Sequence, residues 1–185
     1  MFSIRRWLEK KTKSVPQEIF VARSSALKTS IDTPMTVPDT AEFYIQALDN
    51  GLIEVADVIA WADNIILQEE SPELSIIKVS MSASKGKHEV LSALSAVAVG
   101  ANSELVQRKV LFSMGQKLSR ESDYLPRAIH YLHGKAIDGE IVDEKLETQI
   151  YMLDDDFEYS ASKPMNYQKI APEVAVLLTN YATRL

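Results

Sequence analysis

PDTAEFYIQALDNGLIEVADVIAWADNIILQEESPELSIIKVSMSASKGKHEVLSALSAVAVG, residues 38–100, is the stretch that decides the fold class. It divides into four amphipathic segments joined by short turns. In the first, Asp39 reads as an N-cap with Glu42 three residues on, the spacing of a capping box. Ala41, Tyr44, Ile45 and Leu48 then follow at i, i+3, i+4 and i+7, one stripe of a helix. Asn50-Gly51 ends it, because both residues tolerate the left-handed backbone that follows a helix. The second segment places Val55, Val58, Ile59, Ala62 and Ile66 on one side, and Trp61 and Ile65 widen that side, which predicts extensive burial. Ser71-Pro72-Glu73 reads as a new start with proline in the first turn, where no N–H is needed. The fourth segment carries Val90, Leu91, Leu94, Val97 and Ala98 at a 3.6 period, and Gly100 closes it. Between Ile76 and Met81 two patterns compete. Ile77, Val79 and Met81 alternate with Lys78, Ser80 and Ser82 as in a strand, whereas Leu74, Ile77, Lys78 and Met81 fit a helix. The helix is favoured, since the neighbours are helices and a lone strand has nothing to pair with.

Downstream the pattern continues. Asn102 or Ser103 can cap a helix with Val106, Val110, Leu111, Met114 and Leu118 on its apolar side. Gly115 within it costs about 1 kcal/mol relative to alanine, which suggests a close helix contact. Ser122 or Asp123 opens the next, with Leu125, Ala128, Ile129, Leu132 and Ala136 as its core face. Asp143 caps another with Leu146, Ile150, Leu153 and Phe157. Ser160 to Asn166 reads as a loop, and Pro172 as the start of a last helix with Val174, Leu177, Leu178, Tyr181 and Leu185 inward. Upstream, Phe2, Ile4, Trp7 and Leu8 make residues 1–13 a short basic helix, and residues 29–37 a loop. The expectation is an all-α fold: about eight antiparallel helices in an irregular bundle or solenoid-like array, as a single helical domain over 1–185 with its main body at 38–185. No true sequence repeat supports a regular array.

Composition narrows the function classes. The 185 residues carry 46% hydrophobic side chains, enough for a core, and only six glycines, which argues against a turn-rich β fold. Without cysteine there are no disulfides, thiolate metal sites or cysteine nucleophiles, which fits a cytoplasmic location. No apolar run reaches the length of a membrane span. The net charge of −6 is uneven. Arg5, Arg6, Lys10, Lys11 and Lys13 against Glu9 give residues 1–13 a local +4, leaving −10 on the remainder. That acidic body disfavours nucleic acid and favours a protein partner with a basic surface. The basic N-terminal segment lacks a signal-peptide pattern and reads as a helix docked on the acidic body through Trp7, the other reading being a membrane-surface helix.

Few constellations suggest chemistry. His130 and His133, three apart on one helix, have a spacing that can serve one metal, but no HExxH or ExxH companion accompanies them, and they flank the core stripe. Asp154, Asp155, Asp156 and Glu158, interleaved with Phe157 and Tyr159, form the most acidic run. It lacks the alternating ligands and turn glycine of a calcium loop. Carboxylates at a helix C-terminus oppose the macrodipole, and tyrosine among them is the composition of a contact surface, so Asp154, Asp155, Asp156, Glu158 and Tyr159 are the candidate partner-binding residues. Ser82 to Lys87 lacks the spacing of a phosphate loop, and no cofactor motif is present.

Trp61-Ala62-Asp63, the serine-spaced Ile77–Ser82 segment and the Leu153-Asp154-Asp155-Asp156 run lie in two stretches that resemble small, all-helical bacterial proteins of the toxin-immunity type. That resemblance implies a cytoplasmic protein that blocks a toxin by surface contact. The expected function is therefore non-enzymatic protein binding as an immunity protein or inhibitor. The alternatives are a helical adaptor that holds a peptide or protein in a groove, and a metal-dependent hydrolase using His130 and His133.

Overall fold

The computed structural model describes residues 33–141, 147, 148, 150–153, 155 and 167–183. The chain divides between Pro34 and Met35, and the unit Met35–Leu185 carries every element named below. The expected basic helix at 1–13 lies outside the described residues. Of the loop expected at 29–37, residues 33–36 are non-helical and Val37 already begins a helix.

The fold is all-α. Its described helices are α1 (Val37–Asp49), α2 (Val55–Gln68), α3 (Leu74–Met81), α4 (Lys87–Val97), α5 (Ser103–Leu118), α6 (Leu125–Ile137) and α7 (Tyr167–Ala182). Single 3₁₀ turns precede α4 at Ala83–Lys85 and α6 at Ser122–Tyr124. Residues 147, 148, 150–153 and 155 are also helical. Segment 76–81, open between strand and helix in sequence, is therefore helix.

The start of α1 differs from the expectation at Asp39. The cap is Thr36, with Pro38 in the first turn and Asp39 at the third helical position. The Thr36 N–H and hydroxyl both donate to Asp39 Oδ2, at 2.9 and 2.6 Å, and the Asp39 N–H donates to Thr36 Oγ1 at 3.3 Å. This is the reciprocal capping box, shifted three residues toward the N-terminus, with aspartate in place of glutamate. Asp39 is also only 5% exposed, and its second oxygen accepts the N–H of Asn102 at 2.7 Å. Asn102 in turn caps α5 by accepting the Leu105 N–H at 3.1 Å. One carboxylate thus satisfies orphan donors at two helix starts.

Two other starts also differ from expectation. Pro72 lies before the Glu73 cap of α3 rather than in its first turn. Pro172 lies inside α7, which is helical from Tyr167, so proline there marks a point within the helix where one backbone donor is missing rather than its beginning.

Two apolar cores result. Ala41, Leu48, Val58, Ala62, Ile76, Val79, Val90, Leu94 and Val97 form one, built from α1 to α4. The other is built from α5, α6 and α7 together with Ile141 and Ile150, and it includes Val110, Leu111, Met114, Leu132 and Leu178. Helix α1 belongs to both, since it packs on α4 and α5 and its Phe43 lies against the second core. Full burial of each Leu, Val or Met side chain stabilises by about 1.5–3 kcal/mol. Helix α2 is less buried than its apolar pattern predicts: only Val58 and Ala62 are fully covered, and Trp61, Ile65 and Ile66 are half-exposed. In α3 the helix is right and the face is reversed. Ile76 and Val79 point inward, while Leu74 and Met81 are 66% and 71% exposed, with exposed Lys78 between them. The Lys78 ammonium keeps that stripe in water, and the two β-branched residues fill the gap against α4.

The most extensive helix pair is α5 with α7. Gly115 permits it. A Cβ at this position would lie 2.7 Å from Thr179 Oγ1 and 3.0 Å from the Ala175 carbonyl oxygen, so the backbones approach where only glycine fits.

Candidate functional site

The C-terminal half of α1 meets the start of α5 and the end of α6 in an open polar groove of about 520 Å³. Glu42 and Gln46 of α1 face it, one helical turn apart. Ser103, Glu104 and Gln107 come from the first turns of α5. Lys135 comes from the last turn of α6, and Glu140 from the turn that follows. Glycine at 139, with φ 69°, lets that turn fold back so that the Glu140 N–H reaches the Lys135 carbonyl at 3.0 Å.

The walls are held by a defined network. Gln46 Nε2 donates to Glu42 Oε1 at 2.8 Å, and Gln46 Oε1 accepts the Tyr131 hydroxyl at 3.1 Å. Lys135 Nζ lies 2.7 Å from Glu140 Oε2 and 5.6 Å from the Tyr131 ring centroid. Glu140 Oε2 also accepts from Gln107 Nε2 at 3.5 Å. Glu104 pairs with Arg108 one turn along α5. The lining therefore holds three carboxylates and one ammonium; Glu140 engages that ammonium and Glu104 engages the Arg108 guanidinium beside the groove, which leaves Glu42 as the carboxylate with no cationic partner among the described residues. No imidazole lines the groove. What it offers is a set of hydrogen-bond acceptors with net negative charge, complementary to a cationic group.

Two buried tyrosines fasten α6 and the turn before it onto α1. Tyr131 is 8% exposed and donates to Gln46; Tyr124 is 5% exposed and donates to the Asn50 carbonyl at 3.0 Å. Burial pushes the Tyr131 phenol far above its ordinary range, and the nearby Glu140 and Glu42 charges add to this. Burial raises Tyr124 to about 12, partly offset by the Arg127 guanidinium. Because the folded values exceed the unfolded value near 10, the stabilisation is fully present below pH 10 and is lost as pH rises toward 12. In an alkaline titration, tyrosinate absorbance should therefore show a late group of tyrosines that ionise together with the loss of helical circular dichroism. Tyr131→Phe should remove one net hydrogen bond, about 1 kcal/mol in a urea melt.

Of the candidate partner-binding residues, Asp155 is exposed on the helical stretch after Ile150, and Asp154, Asp156, Glu158 and Tyr159 lie outside the described residues. His130 is exposed. His133 is half-buried and packs edge-on against Tyr151 at 5.6 Å. Among the described residues no three His, Asp or Glu side chains group in a way that could hold a metal ion. No described helix is long and apolar enough to cross a membrane.

No protein-family model, curated protein or solved structure matches this chain.

The groove was not marked in sequence. Glu42 reads there as a capping residue, whereas it points into the groove and binds Gln46. Glu42–Gln46 and Glu104–Arg108 are visible as i,i+4 pairs. Their convergence depends on contacts between residues far apart in the chain, and local spacing carries no trace of it.

Proposed function

We propose that this chain is a non-enzymatic protein-binding protein, most concretely an immunity protein or inhibitor that neutralises a bacterial toxin with a basic surface. The observation that carries this reading is the groove between α1, α5 and α6, whose lining is three carboxylates and one lysine already paired. The −10 charge of the chain beyond residue 13 supports it, since complementary fields speed association and suppress wrong partners. The partner's lysines and arginines would meet Glu42 and Glu104 at the groove and Asp154, Asp155, Asp156, Glu158 and Tyr159 farther along the chain. Occlusion of the toxin's working surface, rather than chemistry on it, would be the mechanism.

The test uses a basic toxin domain, its association with this chain followed by stopped-flow fluorescence at low and high salt. A complex is expected whose association slows about tenfold or more at high salt, and also with the pair Glu42→Lys and Glu104→Lys. Reversal of Asp154, Asp155 and Asp156 should weaken it in the same sense. Binding that ignores both salt and these substitutions would sink the charge-complementary reading. A second reading, a helical adaptor, is favoured by the exposed Leu67, Leu74 and Met81 on α2 and α3. It predicts salt-insensitive binding that is lost with Leu74→Asp and Met81→Asp.

A further inference from the structure

The end of α1 is chemically labile in sequence. In Asn50-Gly51 the backbone nitrogen of Gly51 can attack the side-chain amide carbon of Asn50, and glycine, lacking Cβ, leaves the attack unhindered. Two sets of constraints oppose this in the folded chain. The local set belongs to α1. Asn50 has ψ 5°, which turns the Gly51 nitrogen away from the Asn50 Cβ, so a five-membered ring cannot close. Asn50 Nδ2 donates to the Gln46 carbonyl at 2.8 Å, and the Gly51 N–H donates to the Leu48 carbonyl at 3.3 Å. The distant set comes from the segment 122–137. The Tyr124 hydroxyl donates to the Asn50 carbonyl, and the Arg127 guanidinium lies over Gly51 so closely that Nη1 would sit 1.9 Å from a Cβ built there. Ring closure requires rotation about ψ of Asn50. That rotation swings the Asn50 carbonyl off Tyr124 and moves Gly51 under the Arg127 guanidinium, which must shift to let it pass.

We propose that Asn50 is a latent deamidation site, gated by the seating of Tyr124 and Arg127 on the end of α1. In the reaction the Gly51 nitrogen gives its proton to solvent and bonds to Asn50 Cγ. Nδ2 takes a proton from solvent as the Cγ–Nδ2 bond breaks, ammonia leaves, and a succinimide remains. Water then opens the ring at either carbonyl, leaving aspartate or isoaspartate at position 50; nothing is oxidised or reduced. Either product removes the amide donor to Gln46 and adds a negative charge beside Asp49 at the C-terminus of α1, where the macrodipole disfavours it. Isoaspartate also inserts a methylene into the backbone, which displaces the carbonyl that Tyr124 holds. The α1–α6 contact that forms one wall of the polar groove would loosen as the modification accumulates.

The experiment follows aspartate and isoaspartate at position 50 by peptide mapping of the full chain held at mildly alkaline pH. Folded wild type is compared with wild type in urea, with Tyr124→Phe, with Arg127→Ala, and with Leu94→Ala. Leu94 belongs to the apolar core that does not include Tyr124, so its truncation lowers global stability while the Tyr124 and Arg127 side chains stay in place. Folded wild type should react at least about tenfold more slowly than in urea. Tyr124→Phe should react about threefold to tenfold faster than folded wild type, the factor one net hydrogen bond contributes to a local opening. Arg127→Ala, at an exposed residue that folding tolerates, should accelerate in the same direction, and Leu94→Ala should stay within about twofold of wild type. Equal rates in folded chain and urea, or no reaction in urea, overturn the proposal. So does acceleration by Leu94→Ala that matches Tyr124→Phe, because protection would then come from global folding.

Discussion

Replacing Asp39 by alanine is expected to destabilise the fold by about 3 kcal/mol, more than the loss of an ordinary helix cap. An ordinary cap contributes about 1 kcal/mol because one donor regains water when the acceptor goes. Asp39 accepts the Thr36 N–H and hydroxyl through one oxygen and the Asn102 N–H through the other, in a position only 5% exposed. Charge-assisted bonds of this kind are stronger than neutral ones, and although Thr36 and Asn102 are exposed, three such bonds to one buried carboxylate, each contributing about 1 kcal/mol, are lost together. Thr36→Ala, which removes only the reciprocal cap, should cost about 1 kcal/mol. Urea melts of the two variants, measured side by side, make the comparison; an Asp39→Ala loss no larger than that of Thr36→Ala would falsify the two-helix role. The same site sets an acid limit. The Thr36 side chain first, then the Asn102 and Thr36 backbone donors, hold the Asp39 carboxyl below its ordinary 3.8. The unfolded chain therefore binds this proton more readily, and the contribution is fully present above 3.8 and lost as pH falls through the lower folded value. An Asp39→Asn variant should lose part of the stability at neutral pH and show a flatter acid profile than wild type.

Gly115→Ala should destabilise by about 2 kcal/mol, against the gain of about 1 kcal/mol that alanine brings to a helix interior. The added methyl meets Thr179 Oγ1 at 2.7 Å and the Ala175 carbonyl at 3.0 Å. Thr179 is not free to swing aside, because it is β-branched and its hydroxyl donates to that same Ala175 carbonyl at 2.8 Å. The α5–α7 pair must then separate, and its contacts through Leu111, Met114, Val174 and Leu178 weaken together. In a double-mutant cycle, Thr179→Ala should recover about 1 kcal/mol of the loss by removing the closer clash, while the Ala175 carbonyl continues to resist. A Gly115→Ala protein as stable as wild type would show that the helices slide apart without cost.

Much of the fold was legible because a helix writes its own face. Val106, Val110, Leu111, Met114 and Leu118 are inward in α5, as their spacing predicts, and Asn102 caps it. Leu125, Ala128, Ile129, Leu132 and Ala136 are inward in α6 likewise. Caps were less legible. Thr36 and Asp39 fit the same motif in two registers, and the distant Asn102 N–H, donating to Asp39, selects one of them. Tyr131 lies off the apolar stripe of α6, between His130 and His133 in the sequence, yet it is buried, because its hydroxyl finds Gln46 85 residues away. A tyrosine's sequence neighbours cannot say whether such a partner exists.

From the sequence alone came the all-α class, the order and extent of most helices, and an acidic chain with a basic N-terminal segment. Those depend on 3.6-residue periodicity, local capping and counted charge, all properties of residues a few positions apart. The tertiary structure decided which face of α3 is inward, why residue 115 must be glycine, how one aspartate serves two helices, and where Glu42, Glu104 and Glu140 converge. Each is a meeting of residues distant in the chain, as Asp39 and Asn102 are across 63 positions. Periodicity specifies the angle at which a side chain leaves its helix; only packing specifies what stands opposite.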